Sequence, residues 1–412
     1  MPPTITLNWR VLRPLLVLLT VISFVLYYLY LAYKPPTILY TDLFQSEAEG
    51  SKKLIHNEIG NRYVKFKQLQ GAGFNNQAQE ILLYHHLALQ TSRIYVYQPL
   101  IWRPRGENAS VPLSAFMTGP TEGTISEAVF DEVCPPSEIE YVTLGVDYID
   151  QWKHALDILS RKQRCIVVND KVFNWNFLAS PGLHAIWPTF QTYIHNHFKW
   201  SQNVLDIVNR TQTELNLRSR LSPATTQGDS YMALHLRRGD FEDHCKFLAE
   251  THQGFTTWAT LPSLTSTIFS PTLDTYNATT VMAHCYPSLW RILDAVSHQA
   301  RDRPHLRTLH IMHDGAWDHP LVYLQYYKLA EALTNSDWAH RQGWAGGPML
   351  RVTHSADVPI KWGERDFAVC TDVELGARAE VFIGNGYSSL STQVIALRLG
   401  ADGGKVDDIT IY

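Results

Sequence analysis

The sequence predicts an α/β protein, two globular units of alternating strands and helices behind one membrane helix. Three observations carry that prediction. Tyr63-Val64-Lys65-Phe66-Lys67 alternates as a strand does, Gln77 to Gln90 places Ile81, Leu82, Leu83, Leu87 and Leu89 as the apolar face of a helix, and Ile94-Tyr95-Val96-Tyr97 is a second strand. After the linker-like Ser222-Pro223-Ala224-Thr225-Thr226-Gln227-Gly228-Asp229 the alternation starts again. Pro14 to Tyr33 carries no charge and has the length of a helix that crosses a bilayer.

In chain order, residues 1–13 read as a cytoplasmic tail, 14–33 as a transmembrane anchor, 34–61 as a stem, 62–221 as a first unit and 222–412 as a second. Arg10 and Arg13 precede the span, which favours a cytoplasmic N-terminus. Tyr27, Tyr28, Tyr30 and Tyr33 crowd its far end like an interfacial belt. A cleaved signal peptide would have a shorter apolar core ending in small residues. The stem is a mixed segment containing Pro35-Pro36 and Glu47-Ala48-Glu49-Gly50-Ser51.

This topology expects everything beyond Lys34 in the secretory lumen. The sequons Asn108-Ala109-Ser110, Asn209-Arg210-Thr211 and Asn277-Ala278-Thr279 agree with it. The lumen permits disulfides. Of Cys134, Cys165, Cys245, Cys285 and Cys370, the pairs Cys134–Cys165 and Cys245–Cys285 are expected, leaving one thiol over.

The first unit adds a strand at Arg164-Cys165-Ile166-Val167-Val168. The second has strands at Met232–His235, Thr308–Met312, Leu350–Thr353 and Val381–Ile383. Helices lie between them, at Leu289 to Gln299, Tyr323 to Leu333, Asp372 to Arg378 and Thr392 to Leu399. Cys245 to Ala283, rich in Thr, Ser and Pro, reads as a surface insertion.

Composition narrows the function classes. A chain of 412 residues that is 45% apolar and 18% charged is a packed globular protein. A formal charge of −4 excludes a broad nucleic-acid surface. Any anion site is therefore local, and His235-Leu236-Arg237-Arg238-Gly239-Asp240-Phe241 is the place for one. It ends the apolar run Tyr231–Leu234 in a basic turn. A guanidinium is charged at any working pH and binds phosphate bidentately. Strand alternation sets Arg237 on the face of His235, while Arg238 reads as a surface partner of Asp240.

Two further loops open helices. Gly71-Ala72-Gly73-Phe74-Asn75-Asn76-Gln77 follows a strand, and its helix aims amide donors at whatever sits there. It is not a dinucleotide fingerprint, because Asn76 replaces the third glycine. Gly384-Asn385-Gly386-Tyr387-Ser388-Ser389-Leu390-Ser391 also joins strand to helix, and reads as an anion nest or as an ordinary serine cap. His313-Asp314 closes another strand, and Asp372 opens the helix before the last one. No Cys/His grouping has zinc-ligand spacing, and no Asp-x-Asp holds a divalent ion. No metal or other cofactor is expected, so leaving-group charge falls to Arg237 and helix termini.

These three pieces, in this order, resemble the GDP-fucose-dependent fucosyltransferases, most closely the protein O-fucosyltransferase group. Gly73-Phe74-Asn75-Asn76-Gln77 is similar to the first motif of that family. His235 to Phe241 is similar to the second, and Asp372 through Ser391 resembles the third. The resemblance implies a GT-B fold, two Rossmann-like domains facing a cleft, with the acceptor on the first and the GDP-sugar on the second. It implies an inverting, metal-independent transfer of L-fucose from GDP-fucose. Gly73, Phe74, Asn75 and Asn76 would contact the donor from the first domain. His235 and Arg237 would hold diphosphate and nucleoside, with Arg237 as the catalytic cation. Asp372 would recognise guanine, and Ser388, Ser389 and Leu390 would wrap phosphates and base.

One position departs from the pattern. A branch of the family has a catalytic glutamate directly before Gly-Phe-Asn, and here that residue is Ala72. The expected partners are GDP-fucose, an acceptor protein or glycan, and a Golgi or endoplasmic-reticulum membrane, with the catalytic part lumenal. The expected reaction is transfer to Ser or Thr of secreted proteins. Transfer to glycan hydroxyls, or a lumenal protein that binds a nucleotide sugar without turnover, are the alternatives.

Overall fold

The computed structural model describes residues 9–55, 60–69, 72–101, 109–145, 150–173, 175–239, 241–313, 320–400 and 404–412. Gly71, Asn108, Asp240 and Asp314 lie outside them. Two five-stranded parallel sheets organise the chain. The first contains β1 (Tyr63–Phe66) and β2 (Ile94–Tyr97). A short antiparallel ribbon, β3 (Leu100–Ile101) with β4 (Ser110–Val111), precedes its remaining strands, β5 (Ile125–Ser126), β6 (Ile139–Val142) and β7 (Cys165–Val168). Their spatial order is β5-β2-β1-β7-β6. A second ribbon, β8 (Leu217–Arg218) with β9 (Asp229–Ser230), closes around the linker. The second sheet is β12-β11-β10-β13-β14, built from β10 (Met232–Leu236), β11 (Thr308–His313), β12 (Arg351–His354), β13 (Val381–Gly384) and β14 (Ile409–Ile411).

Each sheet starts in its middle, runs to one edge, and returns to build the other. The order therefore reverses between β1 and β7, and again between β10 and β13. In open parallel sheets a ligand crevice lies outside the carboxyl ends of the strands at such a point. β10 is buried at every position, as a central strand covered on both faces must be. Its register against β13 sets Met232 beside Val381 and Leu234 beside Ile383.

The helices before the first sheet are α1 (Trp9–Tyr33) and α2 (Thr37–Ile55). α1 has one stretch apolar enough to cross a membrane, Leu12–Tyr30, none of it buried. The expected stem at 34–61 is instead mostly α2, docked on the globular body with Tyr40, Glu47 and Ser51 buried. The Ser114 amide donates to Glu47 Oε1 (2.9 Å) and the Ser126 amide to Ser51 Oγ (2.8 Å). Mixed composition hid a helix whose polar residues are its docking contacts.

Within the first unit come α3 (Phe74–Gln90), α4 (Phe130–Val133), α5 (Gln151–Leu159), α6 (Trp175–Leu178), α7 (Pro181–His197) and α8 (Gln202–Glu214). The second has α9 (Phe241–Glu250), α10 (Ala278–Cys285), α11 (Leu289–Arg301), α12 (Pro320–Thr334), α13 (Ser336–Arg341), α14 (Ala368–Arg378) and α15 (Ser389–Gly400). Cys245 to Ala283 is not a surface insertion. It carries the second half of α9 and most of α10, and buries Trp258 and Leu264 completely. Trp258 stacks on Phe190 of α7 at 4.5 Å between ring centroids.

The boundary at 221/222 falls in a turn, yet the two units share one core. A single buried cluster runs from Val64 and Leu82 to Phe382 and Ile411. α7 and α8 belong to the first unit by sequence and pack against the second. Gln191 Nε2 donates to the Leu399 carbonyl (2.7 Å), and Trp200 Nε1 to Glu374 Oε2 (2.9 Å). The disulfides are Cys134–Cys165, holding α4 to β7, and Cys245–Cys285, holding α9 to α10. Cys370 is a buried thiol, its pKa pushed up by burial.

Candidate functional site

The turn after β10 and the turn after β13 leave neighbouring strands, so they open on the same crevice. Ser391, in the first turn of α15, joins them. Its hydroxyl lies 2.7 Å from His235 Nδ1 and accepts the Asn385 amide at 2.9 Å. The Tyr412 hydroxyl donates to the His235 carbonyl from the end of the chain. Burial, with Arg237 and His313 nearby, pushes His235 down to about 3. It is a neutral imidazole held in place, not a second cation.

The two arginines part company. Arg237 is half-buried, its guanidinium 5.4 Å from the Phe241 ring at the start of α9. Arg238, read from sequence as a surface partner of Asp240, is 1% exposed. Its Nη2 donates to the Pro287 carbonyl (2.5 Å), and its guanidinium covers Tyr286 at 4.4 Å. The turn between them and α9 needs Gly239, whose φ is +66°.

The second turn is shaped by close packing. A Cβ on Gly386 would stand 2.5 Å from the Phe255 ring, so only glycine lets the 255–257 segment close over the turn. The Thr256 amide donates to the Gly386 carbonyl at 3.0 Å. Ser388 is 9% exposed, and its carbonyl accepts the Thr392 amide of α15. Ser389 and Leu390 are half-buried, Leu390 packing on the main core.

α3 brings the first unit to the same place. Gln79 Nε2 donates to the Ser389 carbonyl (2.8 Å), and Thr392 Oγ1 donates to Gln79 Oε1 (3.2 Å). Asn75 is one helical turn earlier on that face. Its Oδ1 is buried with no hydrogen-bond partner among the described residues, a polar atom left for a ligand or water. Gly73 and Asn76 are exposed at the start of the helix. Gly73, at the N-cap, has φ −58°, a conformation open to any residue. Phe74 is 2% exposed against Phe116 and Trp200, which anchors the loop from beneath. Gln77 ties the loop to β3, donating to the Ala72 and Ile101 carbonyls.

Asp372 does not open its helix, which begins at Ala368. It is buried beside the carboxyl ends of β11 and β12. The His313 amide donates to Ser355 Oγ (3.0 Å), and that hydroxyl donates to Asp372 Oδ2 (2.9 Å). Burial raises Asp372 to about 7, against the lowering pull of Ser355 and Arg365. His313 itself stacks on Tyr326 and faces His354. Glu80 is likewise raised by burial to about 7, while accepting from the Leu69 amide and Tyr84. Among the described residues no group of three His, Cys, Asp or Glu side chains stands where it could hold a metal ion.

No family model and no curated protein matches this sequence. Solved structures do match. The crystal structure of POFUT1 in complex with GDP aligns at TM-score 0.53 and 13% identity, over 85% of this chain and 98% of that one. Its GDP-fucose complex in a second crystal form gives the same TM-score, identity and coverage. The apo-form gives TM-score 0.51 at 13% identity, over 83% and 96%. The chain has the POFUT1 fold. The α/β arrangement of parallel sheets seen here therefore matches a GT-B-type fold.

Sequence reading missed several residues that build this site. Gln79, which makes one bridge, lies outside every motif, and Ser391, which makes the other, closes the third loop but had no role assigned to it. Gln77, Gln79 and Glu80 did leave a trace, as polar residues in a helix otherwise apolar on several sides. Tyr412 reaches His235 across 177 positions, and no local pattern announces it.

Proposed function

We propose that this chain is an inverting, metal-independent glycosyltransferase that moves L-fucose from GDP-fucose to a Ser or Thr hydroxyl of secretory-pathway proteins. It would act from a Golgi or endoplasmic-reticulum membrane, held by α1 with the catalytic part lumenal. The observation that carries the proposal is the His235–Ser391–Asn385 junction, which joins two turns at the strand-order reversal, with half-buried Arg237 two residues beyond His235. The fold shared with POFUT1, whose crystals hold GDP and GDP-fucose, supports that donor.

The chemistry follows from charge. The bond from fucose C1 to the β-phosphate oxygen breaks, GDP leaves with the electron pair, and an acceptor oxygen bonds to C1 from the other face. Negative charge grows on the β-phosphate as it departs. Arg237 and the first-turn amides of α15 meet that charge in a site set before the reaction begins. Neutral His235 adds a hydrogen-bonding imidazole without a competing positive charge. An ionised Asp372 accepts the paired N–H donors of a guanine edge. Ala72 supplies no carboxylate, so the acceptor proton passes to another group or to the departing phosphate.

The test is GDP release from GDP-fucose by the full chain, with folded protein domains and free glycans as acceptors. Product on protein supports the proposal. Product on glycans moves the acceptor. Binding of GDP-fucose without release makes the chain a nucleotide-sugar-binding protein, the alternative that Ala72 leaves open.

A further inference from the structure

A helix that leaves a membrane usually hands over to a loose stem. Here the hand-over is three residues, Lys34-Pro35-Pro36, between α1 and docked α2. Tyr28, two residues before the end of the apolar stretch Leu12–Tyr30, meets Trp362 with ring centroids 5.8 Å apart. A Cβ on Gly363 would lie 3.9 Å from Pro36 Cβ, so the next residue of the same loop abuts the hand-over. Four residues into α2, the buried Tyr40 hydroxyl donates to Asp366 Oδ2 at 2.8 Å. The 362–366 segment of the second unit therefore touches the span, the hand-over and α2 in succession.

Trp362 is 59% exposed and Ile38, in the first turn of α2, is 78% exposed. Single exposed apolar side chains need no explanation. These two differ because of where they stand. If α1 crosses a bilayer, its last turns lie at headgroup depth, and a ring in contact with Tyr28 shares that depth. An indole, apolar in body with one N–H donor, suits that layer. Lys34 and Lys361 are exposed on either side of it and can reach the phosphates.

We propose that Lys361-Trp362, with Ile38, is a membrane-seating surface that sets the globular body directly on the lipid headgroups. The proposal rests on the reading of α1 as an anchor. Its consequence is that the crevice keeps a fixed height over the bilayer, which favours acceptors close to the membrane over those in bulk lumen.

The full chain reconstituted in phosphatidylcholine vesicles tests this. Trp362→Cys takes a fluorescent maleimide selectively, since four native cysteines are bridged and Cys370 is buried. Lys361→Cys serves as a second labelling position. We expect emission from either label to fall when headgroup spin-labelled lipid is included, and to resist aqueous iodide. Quenching by iodide and not by lipid overturns the proposal. So does protection from both quenchers, which would mean that protein covers the loop. Carbonate extraction separates the two failures: a chain that leaves the membrane sinks the anchor reading, whereas a retained chain with an iodide-accessible label sinks only the seating surface.

Discussion

Arg237 and Arg238 are adjacent in sequence and opposite in environment, and their variants should differ accordingly. Arg237→Ala removes a half-buried cation just past β10 while sparing the core. We expect transfer to fall about 100- to 1000-fold with the melting temperature unchanged. Arg238→Ala leaves the Pro287 carbonyl without that donor and strips the cation from Tyr286. That costs about 1–3 kcal/mol, so the melting temperature should drop. Equal melting temperatures for the two variants would contradict the assignment. The sequence motif marked both arginines, and alternation correctly separated their faces. It could not show that Arg238 points inward, because its acceptor is a carbonyl 49 positions away. Asp372 gives a pH signature. Raised to about 7, it is ionised above that pH and protonated below. If the ionised form accepts guanine N–H groups, GDP affinity should weaken as pH falls through 7, by at most about tenfold per unit. Asp372→Asn should remove that dependence in calorimetric titrations.

At the level of elements, the strands were the most legible features. β1 falls where alternation placed it, and β2, β7, β10, β11, β12 and β13 where short strand-like runs did, because a parallel sheet covered on both faces needs such runs. Helix starts were less legible. α3 begins at Phe74 rather than at Gln77, and α14 four residues before Asp372. α2 and the 245–283 region were misread, since their burial comes from distant partners and not from an apolar stripe. The crossing of α7 and α15 was invisible for the same reason. A Cβ on Gly400 would sit 2.4 Å from Ile194 Cγ2. Gly400→Ala should therefore force the helices apart and cost about 1–3 kcal/mol, read as a lower denaturant midpoint. An unchanged midpoint would show that α7 yields without cost.

Across the whole molecule, buried histidines set the acid limit. His85, His235 and His310 are pushed down to about 3, and His86 and His284 to about 4, burial being the main cause in each. The folded chain keeps them neutral, while the unfolded chain protonates them near 6.5. Their contribution is complete above pH 6.5 and declines as pH falls toward 4. For each of the first three the slope is at most about 1.4 kcal/mol per pH unit. Glu80 and Asp372 act oppositely, since their protonated forms favour the fold between about 7 and 4. The histidines outnumber them, so melting temperature should fall from pH 6.5 to 4.5, and a rise would contradict this balance. At this scale both disulfide pairs were legible. The shared core was not, because contacts between α7, α8, α14 and α15 join segments far apart in the chain.

The most direct test of the central claim is a crystal structure of the full chain or its complex with GDP. The account predicts the diphosphate between the Arg237 guanidinium and the first-turn amides of α15, with guanine against Asp372. A nucleotide bound away from the carboxyl ends of β10 and β13, or no bound nucleotide at saturating GDP, would contradict it.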